Sequence, residues 1–218
     1  MRINNYKFIE LISEIHQVGP VIEYGSLRVS NEQAAYNDLR KFFKKLKYKG
    51  CDKTKGNGVD TVDDLVNSSL ATGSAGTLLC CETLEHIFEV HKAAKQLVRL
   101  LNKKGLLIVT IPSGDFPIHW MPDYWRMTPE ALDKLFEKIP YRTVLFQGKL
   151  DSPHTVMGAF TFNQELHIRL RNHLSVNVHK IPGLTIGEKI YAWLDIMTYH
   201  KQRVEYDKQF GVDYKRFI

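Results

Sequence analysis

An α/β fold, a mostly parallel sheet with helices on both faces, is predicted by three features of the sequence. Strand-like and helix-like segments alternate along most of the chain, several strands are apolar on both faces, and no repeat or low-complexity stretch breaks the order. At 218 residues the chain fits one domain with an appendage. The expected division is a sheet domain over residues 1–165, with residues 1–18 as an N-terminal helix, followed by a basic helical extension over 166–218.

Each element has its own signal. Phe8, Ile9, Leu11, Ile12 and Ile15 recur at helical spacing between Glu10 and Glu14, which predicts an amphipathic helix. "VIEYGS" (Val21–Ser26) is a short apolar run ending in an acid and a glycine. "NEQAAYNDLRKFFKKL" has helical period, with Asn31 as a cap. "YKGCD" (Tyr48–Asp52) predicts a second strand, "GVDTVDDL" (Gly58–Leu65) a third, and "GTLLCCETLEH" (Gly76–His86) an apolar fourth that runs into a polar turn. The helix Val90–Gly105 keeps Ala94, Leu97, Val98 and Leu101 on one face and ends in lysines and a glycine. "GLLIVTIP" (Gly105–Pro112) is a buried strand. Thr128 caps a helix that has Pro129 in its first turn. "RTVLFQGKL" and "HTVMGAFTFN" complete the strands.

Composition removes several function classes. No run of about 18 apolar residues is present, so nothing is expected to span a membrane. The first helix lacks the continuous apolar stretch of a signal peptide. Cys51, Cys80 and Cys81 are too few and wrongly spaced for a metal quartet, and their odd number suits a reducing, cytoplasmic setting better than disulfides. No metal is expected. The net charge is +6, and residues 166–218 hold nine Lys and Arg against five Asp and Glu, a net of +4. A solvated basic face explains this surplus more simply than nucleic-acid binding, which stays the less favoured reading. Oligomeric state is not readable.

In open α/β sheets ligands bind outside the carboxyl ends of the strands. Three successive strands here end in acids, Glu23, Asp52 and Asp64, and Gly25 follows the first. A carboxylate ending the second strand suits ribose hydroxyls, and a neighbouring acid suits the exocyclic amine of adenine. The single glycine of "EYGSLRVS" argues against close approach of a pyrophosphate, and hence against a nicotinamide oxidoreductase. A nucleoside without phosphate fits better.

From Val21 to about Phe136 the chain resembles the class I S-adenosylmethionine-dependent methyltransferases. The resemblance rests on the glycine-poor "VIEYGS", on "GCDKTKGNGVD", on the "ETLEH" turn and on the "DYWRMTPE" loop. It departs from the pattern at Asp63, where a small residue is usual, and in "NSSLATGSAGT", which lacks an apolar cover segment. The resemblance implies a Rossmann-like seven-stranded sheet with its last strand antiparallel and S-adenosylmethionine, a small-molecule methyl donor, across the first strand ends. It implies that Glu23 and Gly25 lie beside the methionine part and that Asp52 holds the ribose. Asp64 and Leu65 fall at the adenine edge. Cys81 and Glu82 fall where the donor meets the acceptor pocket.

The segment "IHWMPDYWRMTPE" (Ile118–Glu130) gathers aromatics, prolines and an arginine behind the fifth strand. Tyr124 and Arg126 either wall the acceptor side or, with Trp125, plug the core; the two readings are compatible. Candidates for a base are Glu82, His86, His119 and Asp123, with His86 more simply a structural histidine bonded to backbone. The sequence predicts methyl transfer to an unidentified acceptor. The alternative is a catalytically silent scaffold that binds a partner through its basic C-terminal segment.

Overall fold

The computed structural model describes residues 2–28, 38–114, 118, 121–149 and 152–181. His119, Trp120, the Asn31 cap and the chain beyond Ile181 lie outside the described residues.

Four helices are described: α1 (Ile3–Ser13), α2 (Val90–Leu100), α3 (Pro129–Leu135) and α4 (Gln164–Asn177). The strands are β1 (Val21–Tyr24), β2 (Tyr48–Asp52), β3 (Thr61–Val62), β4 (Ala75–Cys81), β5 (Leu101–Pro112), β6 (Tyr141–Lys149) and β7 (Ser152–Thr161). They form one sheet in the order β3-β2-β1-β4-β5-β7-β6. The pairs among β1 to β5 are parallel, and β7 runs antiparallel to both β5 and β6. The sheet is therefore mostly parallel, closed at one edge by an antiparallel pair.

Alternating side chains divide the core in two. On one face Ile22, Tyr24, Leu78, Cys80, Leu107 and Val109 meet α2 and α3. On the other, Val21, Leu79, Leu106, Ile108 and Met157 meet α1, α4 and the 3₁₀ turn Leu39–Phe43. Chain reversal between β1, β4 and β2 occurs at the pair of strands that share a register: Tyr24 lies beside both Cys51 and Cys80. Their carboxyl ends thus open at one place.

Four elements differ from the sequence expectation. The described part of the helix expected after β1 is a 3₁₀ turn, Leu39–Phe43, started by the Asp38 side chain, which accepts from Arg40 N at 3.2 Å. β3 is two residues long, because Asp63 and Asp64 turn their carboxylates onto the following backbone instead of extending the strand. α2 stops at Leu100 and β5 begins at Leu101, so Gly105 lies within the strand and caps no helix. A side chain at Gly105 would meet the Ala75 and Gly76 carbonyls within 3 Å. Fourth, α4 belongs to the core: Leu166, Leu170 and Leu174 are buried, and it packs on α1, β6 and β7. α3 starts as expected, with Thr128 accepting from Ala131 N at 3.2 Å and Pro129 in the first turn.

Candidate active site at the carboxyl edge of the sheet

Glycine shapes the first corner. Gly25 follows β1 at φ +78°, and a methyl group there would lie 2.0 Å from Thr83 Oγ1, so only glycine fits. Thr83 Oγ1 donates to Cys81 O (2.9 Å) and Tyr24 O (3.3 Å), joining the ends of β4 and β1. The Gly25 and Ser26 amides both donate to Cys51 O, so they are spent on β2. Ser26 Oγ is buried without a partner.

The "GCDKTKGNGVD" segment folds back on the same corner. Asp60 Oδ2 accepts from Gly50 N (2.7 Å) and from Arg40 Nη2 (2.6 Å). A side chain at Gly50 would meet Gly58 O at 2.3 Å, and one at Gly58, at φ +90°, would meet Ser26 O at 2.4 Å, which explains the glycines at both positions. Arg40 also covers the Tyr48 ring, 4.6 Å from its centroid. The Tyr48 hydroxyl donates to Glu23 Oε2 at 2.7 Å. Burial raises the Glu23 carboxyl to about 7, against that hydrogen bond and the charges of Arg40 and Arg28.

Asp52 ends β2 with Oδ1 accepting from Thr54 N at 2.9 Å. Asp64 is exposed and accepts from Val66 N at 3.0 Å through one oxygen. Their remaining oxygens are acceptors that fit the hydroxyls of a ribose and the amine of an adenine. Leu65 is buried in the core beneath. Asp63, expected only as an oddity, is the structural acid. It accepts from the Tyr24 hydroxyl (2.5 Å), Ser69 N (2.9 Å) and Ser69 Oγ (2.6 Å). Burial raises its carboxyl, and the Ser69 and Tyr24 hydrogen bonds overcome this and hold it below the ordinary range.

At the end of β4, burial keeps the Cys81 thiol protonated, well above its usual range. Glu82 adopts φ +51°, rare for a side chain larger than glycine, and points its carboxylate at α1. Asn5 Nδ2 donates to it at 2.8 Å and Arg2 Nη2 at 3.2 Å. Arg2 also reaches His154 O and Thr155 Oγ1. Both Glu82 oxygens are engaged, so the side chain holds α1 on the sheet edge. Glu85 is 1% exposed. Burial, then the charge of Glu82, drives its carboxyl well above the usual range. His86 Nδ1 lies 2.7 Å from Pro122 O, bonding backbone as its structural reading expects, though on the loop and not at a helix head.

The aromatic loop closes the same edge. Asp123, its side chain 2% exposed, pairs with Arg126 at 2.6 Å and 2.7 Å through both oxygens. The arginine therefore pairs within the loop. Trp125 Nε1 donates to Ile87 O at 2.9 Å, and its ring packs on the core. Tyr124 N donates to Glu85 O at 2.7 Å, while its ring is 49% exposed and meets Phe88 edge-on at 5.4 Å. Phe88 is itself 67% exposed. Trp125 and Arg126 are structure; Tyr124 and Phe88 form the open lip.

The edge thus gathers Glu23, Gly25, Asp52, Asp64 and Leu65 at β1–β3, and Cys81, Glu82, Tyr124 and Arg126 at β4–β5. Residues that sequence reasoning missed are Arg2, Asn5, Tyr48 and Thr83. Apart from the Thr83–Cys81 bond, the hydrogen-bond partners named for them lie 25 to 153 residues away, a distance that leaves no local signal. Among the described residues no cluster of His, Cys, Asp and Glu is arranged to hold a metal, and no helix is long and apolar enough to cross a membrane.

The fold given by this strand order and antiparallel edge is similar to that of solved S-adenosylmethionine-dependent methyltransferases. Among solved structures, the chain resembles a SAM-dependent methyltransferase from Archaeoglobus fulgidus, with TM-score 0.55 and 10% identity over 72% of this chain and 91% of that one. It also resembles the trans-methyltransferase CalH, solved with SAH, with TM-score 0.53 and 13% identity over 72% of this chain and 57% of CalH. No family model and no curated protein matches the sequence.

Proposed function

We propose that this protein binds S-adenosylmethionine at the carboxyl ends of β1, β2 and β4 and transfers its methyl group to an acceptor beside β4 and β5. The observation that carries the reading is Asp52, which ends β2 in this methyltransferase fold with one carboxylate oxygen left for a ribose. Asp64 takes the adenine amine, with Leu65 beneath the ring. Glu23 and Gly25 lie toward the methionine part, and Cys81 and Glu82 toward the transferred methyl.

When bound, the donor supplies a methyl group already activated by the sulfonium charge. The chain has to place the acceptor in line and take its proton where the nucleophile is a hydroxyl or amine. His119 is the proposed base. Glu82 orients, because Arg2 and Asn5 already occupy its oxygens. Tyr124 walls the acceptor side, and Arg126 supports it through Asp123.

Calorimetric titration with S-adenosylmethionine and, separately, its demethylated product tests the reading. Binding of both is expected, and Asp52→Ala should weaken it by about 1–3 kcal/mol, the loss of charge-assisted hydrogen bonds. A folded parent that binds neither compound is a silent scaffold.

A further inference from the structure

α2 and α3 stand on different strands. α2 packs on β4, β5 and the turn Leu65–Asn67, whereas α3 packs on β6 and β7. Between them lies a groove of about 710 Å³. Its α2 wall uses residues 90, 91, 94, 95, 98 and 99, and its other wall uses residues 131, 134 and 135 of α3 with 137 and 138 just beyond it. The α2 set repeats at three- and four-residue spacing, a stripe of about two turns, roughly 12 Å long. The core-facing side of α2 is Val90, Ala93, Ala94, Leu97 and Leu100. Val98, Leu135 and Trp125 pack on the core but are only partly buried, so among the described residues the groove leaves apolar surface open. Its floor is Val98, Leu135, Trp125 and Met127.

The rim is cationic. Lys95, Arg99, Arg126, Lys134 and Lys138 face the groove against a single acid, Glu137. Arg126 is held by Asp123, Arg99 by the Leu70 and Ser68 carbonyls, and Lys134 by Glu137. Lys95 and Lys138 form no ion pair among the described residues, and both are exposed, one on each wall. An apolar trough two turns long between two free lysines matches an amphipathic helix with acidic flanks, in both shape and charge.

We propose that a partner protein docks on this groove through such a helix. Its apolar side chains at i, i+3, i+4 and i+7 would rest on Val98, Leu135, Trp125 and Met127, with Asp or Glu toward Lys95 and Lys138. Glu23, Asp52, Asp64 and Leu65 do not line the groove, so the proposal stands whether or not the protein transfers methyl groups. Trp125 and Arg126 also belong to the loop at the active edge, so the helix would touch that loop from behind.

The test is fluorescence anisotropy with a labelled helical peptide about four turns long, carrying a leucine stripe flanked by glutamates. Controls are the same peptide with lysine flanks and decanoate, a small anionic amphiphile. The acidic peptide should bind saturably to the full-length protein. The double variant Lys95→Glu, Lys138→Glu should weaken it at least about tenfold and admit the lysine-flanked peptide instead, with an unchanged melt. Should the double variant not fold, added salt from about 0.05 to about 0.5 M must weaken the parent's binding. The proposal is overturned if the acidic peptide does not saturate, if binding ignores both charge reversal and salt, or if decanoate displaces it.

Discussion

The burial that raises Glu23 to about 7 makes the end of β1 sensitive to pH. An ordinary unfolded glutamate titrates near 4.3, so between about 4.5 and 7 the folded chain holds a proton that the unfolded chain has lost. Folding is then stabilised by acid, and stability falls as pH climbs through this window, then levels off above it. Partial solvent access at the strand end limits the fall to ~2 kcal/mol. Glu23→Gln keeps an acceptor for the Tyr48 hydroxyl but cannot ionise. The variant should match the parent near pH 4.5 and melt several degrees higher at pH 8. Melting curves at both pH values check this, and a gap that does not change with pH would show that Glu23 titrates normally. The acid itself was visible in the sequence. Its partner was not: Tyr48 comes 25 residues later and meets Glu23 only through the register that sets Glu23 beside Gly50.

The loop after β5 shows what composition can and cannot say about one element. Its aromatics, prolines and arginine marked it as a site or a plug; Trp125 and Arg126 are bonded into the fold, whereas the Tyr124 ring is exposed. What divides them is how each meets the segment 84–88: Trp125 bonds Ile87 O through its side chain, Tyr124 bonds Glu85 O through its backbone amide, and His86 bonds Pro122 O. No pattern within the loop encodes those partners, so the division could not be read there. It makes a prediction that separates neighbours in the chain. Arg126→Gln leaves the buried Asp123 without its bidentate cation and should cost about 2 kcal/mol, lowering the melting temperature by several degrees. Tyr124→Phe, at an exposed ring, should stay within about 0.5 kcal/mol of the parent. Paired thermal melts decide it. Equal losses would make Tyr124 part of the plug, and no loss from either would make Arg126 dispensable to the loop.

Across the whole molecule, the mostly parallel sheet was legible because strand and helix segments alternate and several strands are apolar on both faces. Less legible was where the sheet domain stops. Basic, helix-like sequence after residue 165 looks like an appendage because charge is counted along the chain, whereas burial depends on one face of a helix. α4 carries its Arg169, Arg171 and His173 around a stripe of Leu166, Leu170 and Leu174 that is buried beside α1. α1 in turn reaches the active edge through Arg2 and Asn5, so α4 supports the site at one remove. Leu170 is fully buried, and Leu170→Ala should cost about 2–5 kcal/mol, the transfer of its side chain plus the cavity it leaves. For a chain of this size that lowers the melting temperature by roughly 5–15 °C. Truncation after Asn163 removes all three leucines and exposes the α1 surface they cover, and it should abolish the cooperative melt. Such a truncation would therefore also erase any nucleic-acid binding by unfolding the protein. Charge substitution on the exposed face of α4 is the fair test of that activity. If the truncated chain still melts cooperatively at the parent's temperature, α4 is an appendage, and the sheet domain ends at residue 165 as the sequence alone suggests.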